Sequence, residues 1–319
     1  MRERTGRRRR LPLTVCIAAR ASDGSLFCVA DRMVTAGDIE MESPVSKIFA
    51  MTNFLSVMPS DNDVALHTEI LMEAQTRILK TIEAKPTEWP LIKDMVDIYI
   101  SAYNEKRQKL AERTFLIPLK LTHETFLEKM QMIDRKIVAR LTEDILNFQM
   151  PAMSIIMAGR DPLGSHIYEV HNGESGNFNT IGYAAIGAGA RHANAHFMMA
   201  AQSGSTSLAE TLWNSYLAKK RAEVAPGVGK DATDIGMIGP QLGSNLVLDA
   251  APLKKQLEKV YKQTIEMEET ARKSASQEMV SYVEGLTRQA QEQASANTAP
   301  QADSTGEIPP QKSNGKSAS

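Results

Sequence analysis

Hydrophobic and polar positions along the chain fall into blocks of different period. Two short apolar, β-branched runs, Thr14–Ala19 and Leu26–Ala30, flank Ser22-Asp23-Gly24, a pattern that predicts a hairpin. Lys47–Met51 and Phe54–Met58 predict a second hairpin turning at Thr52-Asn53. The capping residues Ser60-Asp61-Asn62-Asp63 then precede Val64, Leu66, Ile70, Leu71, Ala74, Ile78 and Leu79, the spacing of one helix face, to about Ala84. Pro86 and Pro90 break that helix. Further helices are expected over Leu91–Arg113 and His123–Phe148, around a loop at Pro118. From Ala152 the pattern returns to strands: Met153–Gly159, His166–Val170, Phe178–Ile181 and Tyr183–Ile186, with turns at Asp161–Gly164 and Asn172-Gly173. Gly187-Ala188-Gly189-Ala190 leads into a helix over Arg191–Ala201. A helix over Leu208–Val224 and strands Asp234–Ile238 and Asn245–Leu248 follow. Past Pro252 a charged helix runs to about Glu292, with Leu253, Leu257, Val260 and Tyr261 as a partial stripe.

Strands, then helices, then strands again fit sheets covered by helices on their outer faces, an α+β arrangement. The block from 61 to 148 is largely helical and reads as a helical insertion or extension, suited to an oligomer contact. Four segments result: an extension over 1–13, a main domain over 14–250, a C-terminal helix over 251–292, and a tail over 293–319. The tail is rich in Ser, Ala, Gln, Asn and Pro, a composition that does not build a core.

Composition changes this picture little. The 319 residues are 42% hydrophobic, enough for a large core. A net charge of −1 and a pI of 6.6 give no support for nucleic acid or anionic membranes as partners. No run approaches 18 apolar residues, so no membrane span is expected. Arginines near the start are not followed by an apolar stretch of signal-peptide length. Cys16 and Cys28 both fall inside predicted strands and read as buried free thiols of a reducing cytoplasm. No cofactor or metal is expected. His192 and His196 share a helix face, but no Glu lies between them and no third ligand is evident. Gly227-Val228-Gly229-Lys230 lacks the spacing of a phosphate loop and reads as a connection.

The candidate chemistry lies in the first strands: Thr14 begins one, Asp31 ends the next, and Lys47 opens another. A Thr hydroxyl is a poor nucleophile and needs a base. If Thr14 is the first residue of the mature chain, its own α-amine, with a pKa of roughly 7.7–8.0, is that base. A nearby Lys47 ammonium would lower the pKa of amine and hydroxyl, and Asp31 would keep Lys47 charged and aimed. As a strand-end lysine, Lys47 is expected to add little to stability.

The segment D-R-M-V-T-A-G-D…S-K-I-F, with the starting T-V-C-I and the later A-A-I-G-A-G-A, resembles the β-type subunits of proteasomes and their bacterial relatives, which are N-terminal nucleophile (Ntn) hydrolases. The resemblance covers about Thr14 to Asp249. It implies a four-layer αββα sandwich, with Thr14 as nucleophile and base, Lys47 tuning their pKa values and Asp31 orienting Lys47. It implies hydrolysis of amide bonds, peptides above all, through an acyl-enzyme in a homo-oligomeric ring or stacked assembly, and leaves open whether an unfoldase ATPase serves it. Two other readings fit the same fold: a non-catalytic structural subunit, and an acylase for small amides.

Several positions depart from the family's pattern. Its propeptides usually end in Gly, where this chain has Leu13. Three origins fit residues 1–13: a misassigned gene start, with the product beginning Met-Thr14; a processed propeptide; or a retained basic arm. Ser60-Asp61-Asn62 stands where the family has a small glycine turn whose N–H faces the substrate carbonyl. Ala188 stands where it often has a Ser near the Thr amine. Glu223 is a candidate stand-in for an Asp that supports that amine.

Overall fold

The computed structural model describes residues 14–36, 39–61, 64–248 and 250–297. Over the described residues the chain is mixed α/β, about half helical and about a fifth strand. Every strand pairing among the described residues is antiparallel.

The first strands are β1 (Cys16–Arg20), β2 (Leu26–Ala30), β3 (Met33–Ala36), β4 (Ile39–Glu42), β5 (Phe49–Thr52) and β6 (Leu55–Asp61). Helices α1 (Val64–Ala84), α2 (Ile92–Phe115), α3 (His123–Lys129) and α4 (Arg135–Leu146) follow. Then come β7 (Met153–Asp161), β8 (Gly164–His171), β9 (Glu174–Asn177), β10 (Tyr183–Ile186), α5 (Ala190–Met199), α6 (Leu208–Ala222), β11 (Asp234–Ile238), β12 (Asn245–Val247) and α7 (Ala251–Asn297). One five-stranded sheet has the order β10-β1-β2-β11-β12, the other β5-β6-β7-β8-β9, and β3 and β4 form a separate hairpin.

Strict alternation of side chains sorts the core. On β6 and β7, Leu55, Val57, Ile155 and Met157 join a cluster with Ile70, Ala74 and Ile78 of α1 and Met95, Val96 and Tyr99 of α2. Their neighbours Met58, Ile156 and Ala158 join the opposite cluster, with Cys16, Ala18, Leu26, Cys28 and Ala30 of the first sheet. One set of side chains of the second sheet thus shares a core with α1 and α2, and the alternate set shares a core with residues of the first sheet. β1 and β2 read as nearly continuous apolar runs because both of their faces are covered; α6 lies against both, and α5 against β1 and β10.

Four expectations need correction. The β3–β4 hairpin was not anticipated, so Lys47 precedes the fifth strand rather than the third. The expected helix over His123–Phe148 is two helices, because the Asp134 side chain accepts a hydrogen bond from the Lys136 N–H and caps a new one. Phe178–Ile181 forms no strand; the edge strand β9 precedes it, the Phe178 N–H donates to the Ile167 carbonyl of β8 at 2.9 Å, and the Gly182 N–H closes a turn on the Phe178 carbonyl at 2.8 Å. β6 runs through Ser60 and Asp61, which are strand rather than helix cap, and Asn62 and Asp63 lie outside the described residues.

The chain divides into two compact units, residues 1–258 and 259–319. In the first, Leu257 is buried and the Tyr216 hydroxyl donates to Glu258 at 2.7 Å. In the second, α7 continues to Asn297, past the expected end at Glu292, and every side chain from Glu266 to Ala294 is exposed. The extension over 1–13 and the tail beyond residue 297 lie outside the described residues. No helix among those described is long and apolar enough to cross a membrane.

Cys16 and Cys28 are both fully buried as free thiols. Burial, and secondarily Cys16, pushes the Cys28 thiol up to about 12. Neither should react with iodoacetamide at pH 8 in the native protein, and both should react in denaturant. A native adduct detected by mass spectrometry would contradict this packing.

Candidate active site at the start of strand β1

Thr14, Asp31 and Lys47, far apart in sequence, meet at one point. Asp31 follows β2 and is wholly buried. Its Oδ1 accepts from the Thr14 hydroxyl, from the Val15 N–H at 3.1 Å and from Lys47 Nζ at 2.9 Å. Its Oδ2 accepts from the Gly229 N–H at 2.7 Å and from the Met33 N–H at 3.3 Å. A buried carboxylate is tolerable when donors surround it in this way. Lys47 Nζ donates to Thr14 Oγ1, Asp31 Oδ1 and the Met33 carbonyl. An ammonium has three protons, so each has an acceptor and the head group is pinned.

Local structure explains the convergence. The β1–β2 pairing sets Cys16 opposite Ala30, which places Thr14 and Asp31 just beyond the same end of the hairpin. Arg32 forks onto Asp234, the first residue of β11, at 2.7–3.0 Å and ties the end of β2 to its other neighbour. The Thr14 carbonyl accepts from the Gly189 N–H at 3.2 Å. Gly187 sits against that carbonyl with φ +93°, and a Cβ there would overlap the oxygen. The glycine turn before α5 therefore has a steric reason for its first Gly.

The arrangement can polarise the Thr14 hydroxyl from both sides. Lys47 would stabilise an alkoxide at Oγ1, and Asp31 takes the hydroxyl proton's hydrogen bond. This adds to the expected role of Asp31: it touches the hydroxyl itself as well as Lys47. The small expected stability contribution of Lys47 is corrected too, because its side chain is only 13% exposed and its partner Asp31 is wholly buried.

No family model matches the chain, and no curated protein matches it. The function must be read from the geometry of the residues themselves.

Other candidates fall elsewhere. Glu223, considered as a support for the Thr14 amine, is held by Lys219 at 2.6 Å and Lys220 at 3.2 Å. His192 is exposed and His196 buried, and among the described residues no group of three or more His, Cys, Asp and Glu side chains could hold a metal ion. Ala188 brings no polar side chain to the turn. The loop at Gly229, read only as a connection, supplies a donor to Asp31. Glu42 of β4 braces it by accepting from the Asp231 N–H at 3.1 Å, and a Cβ on Gly229 would come within 2.6 Å of the Glu42 carboxylate.

Lys219 was also missed. It lies in a basic last turn, A-K-K-R, that reads as solvated, yet it is 0% exposed. Burial pushes its ammonium below the ordinary lysine value; Glu223 and, more weakly, Asp31 pull it back up. Between the lowered native value and 10.5 the unfolded chain holds more proton at this site than the folded one. Stability from this site therefore rises with pH through that window, and below it Lys219 is a constant cost.

Two predictions follow from these contacts. Lys47→Ala should destabilise the fold by about 3–5 kcal/mol in urea melts, because it strands a buried charge. The double variant Lys47→Met, Asp31→Asn should recover part of that loss; no recovery would mean the pair is not coupled. Lys219→Met should flatten the rise of the urea midpoint with pH below 10.5, and an unchanged slope would show that Lys219 titrates normally.

Proposed function

We propose that this chain is a proteasome-like N-terminal threonine hydrolase that cleaves amide bonds, in peptides above all, through an acyl-enzyme on Thr14. The observation that carries the reading is the double engagement of Thr14 Oγ1, accepting from Lys47 Nζ and donating to Asp31 Oδ1. The face-to-face clusters of the two sheets and the helices on their other faces support an αββα sandwich of the Ntn type. A homo-oligomeric ring in the cytoplasm belongs to the same proposal.

In a chain beginning at Thr14, the free amine takes the hydroxyl proton as Oγ1 attacks the amide carbonyl. Lys47 stabilises the charge on the attacking oxygen, and Asp31 holds Lys47 in place. The tetrahedral intermediate collapses as the C–N bond breaks. The leaving amine takes the proton, and an ester remains on Thr14. Water, giving its proton to the same amine, attacks the ester and releases the acid. Ala188 favours a second reading, a structural subunit without activity, because it removes one polar group from the nucleophile's surroundings.

Activity should require a free amine on Thr14. While residues 1–13 are attached, that nitrogen is an amide and is not basic near neutral pH. Two forms separate the readings: one shown by mass to retain residues 1–13, and one beginning Met-Thr14 with Met removal confirmed. Only the second should be labelled by a peptide epoxyketone, which needs both amine and hydroxyl. Equal labelling of both would make Asp31 the base and sink the N-terminal reading. Labelling of neither would leave the structural subunit ahead.

A further inference from the structure

A cavity of about 360 Å³ lies within the helical block, between α2, the start of α3 and the end of α4. Val138, Leu141 and Ile145 share one face of α4, yet no residue of that helix is buried. The C-terminal end of α4 is fixed to α2 by polar bonds. Arg107 of α2 donates to the Phe148 carbonyl from Nε at 3.1 Å and to the Leu146 carbonyl from Nη2 at 3.3 Å. Phe115 and Phe148 meet edge-on, with ring centroids 5.9 Å apart. Ile145 and Leu146 do not close onto Ala111 and Leu116, and these four side chains give the cavity its apolar lining.

Two groups of opposite charge, Arg107 and Glu112, line the same cavity. Both are half-buried. Arg107 spends Nε and Nη2 on the end of α4, and its Nη1 makes no hydrogen bond among the described residues. Glu112 Oε1 accepts from the His123 N–H at 3.3 Å, and its Oε2 makes none among them. Neither side chain forms an ion pair among the described residues, with the other or with a third group. The step from 107 to 112 is about 7.5 Å along the helix axis and turns the two about 140° apart. They therefore reach the cavity from different sides and leave a gap between them.

We propose that this cavity binds a free apolar α-amino acid as its zwitterion. The carboxylate lies on Arg107, the ammonium on Glu112, and the side chain on the wall of Ala111, Leu116 and Ile145. A simple anion bound at Arg107 would leave Glu112 facing it with like charge, and a simple cation at Glu112 would face Arg107. A zwitterion meets both groups with the opposite sign. A guanidinium with a free edge is the cation whose shape suits a carboxylate. Sites for small ligands are mostly apolar cavities of about 300–1,000 Å³ with a few placed polar groups. This one stands at the lower end of that range, which suits a single amino acid rather than a longer peptide. None of its lining residues belongs to the Thr14 site, so the proposal stands apart from the chemistry there.

Isothermal titration calorimetry of the full chain with L-leucine should show saturable binding. Three probes that each lack one feature should bind at least about tenfold more weakly: 4-methylpentanoate without the ammonium, L-leucinamide without the carboxylate, and glycine without the side chain. Glu112→Gln keeps an acceptor for the His123 N–H and loses only the charge. It should weaken leucine by about 10–100-fold and leave 4-methylpentanoate unchanged or tighter. Ile145→Phe fills the cavity and should abolish leucine binding. Arg107 is left in place, because it holds the end of α4. Absence of saturable leucine binding at millimolar concentration overturns the site. Equal binding of leucine and 4-methylpentanoate, or of leucine and glycine, overturns the zwitterion. Leucine binding unchanged in both variants places the ligand elsewhere on the chain and overturns the proposal as well.

Discussion

The buried carboxylate of Asp31 constrains everything around it. Five donors reach it, from Thr14, Val15, Met33, Lys47 and Gly229. A carboxylate taken out of water costs several kcal/mol unless such donors replace the solvent. The start of β1, the turn into β3, the segment before β5 and the loop before β11 must therefore all be in place together. The same bonds hold the Thr14 hydroxyl between a cation and an anion, so folding and the arrangement of the site are one event.

Close backbone approach completes the frame. Gly187 lies on the Thr14 carbonyl, and Gly229 fits between Asp31 and Glu42. Neither place has room for a side chain. Lys47, with all three protons bonded, has little rotamer freedom left, which keeps a reactive geometry precise. Lys219, itself fully buried, pairs with the partly buried Glu223 one turn on, and the Asp31 charge weakly favours its ammonium.

The division of labour between the two sheets comes from side-chain alternation. On β6, Leu55 and Val57 pack on α1 and α2, and Ser56 and Met58 face the first sheet. One strand therefore contributes to two cores. A shift of one residue would exchange the two sets.

Local pattern was sufficient for much of this. The β1–β2 hairpin, α1, α2, β10 and β11 could be read from period and turn residues, because each is stabilised by contacts that repeat along its own length. Thr14, Asp31 and Lys47 could be singled out because strand ends and residue type are local properties. Their meeting could not be read so, since it depends on the register between strands and on the Gly229 loop, distant in sequence. The β3–β4 hairpin was hidden because Met33–Glu42 is short and mixes polar with apolar residues. The burial of Lys219 was hidden because a basic helix end looks the same in sequence whether it faces water or a carboxylate. The cavity beside Arg107 and Glu112 is likewise a fact of packing: what a charged side chain faces is decided only by which neighbours the tertiary fold brings to it.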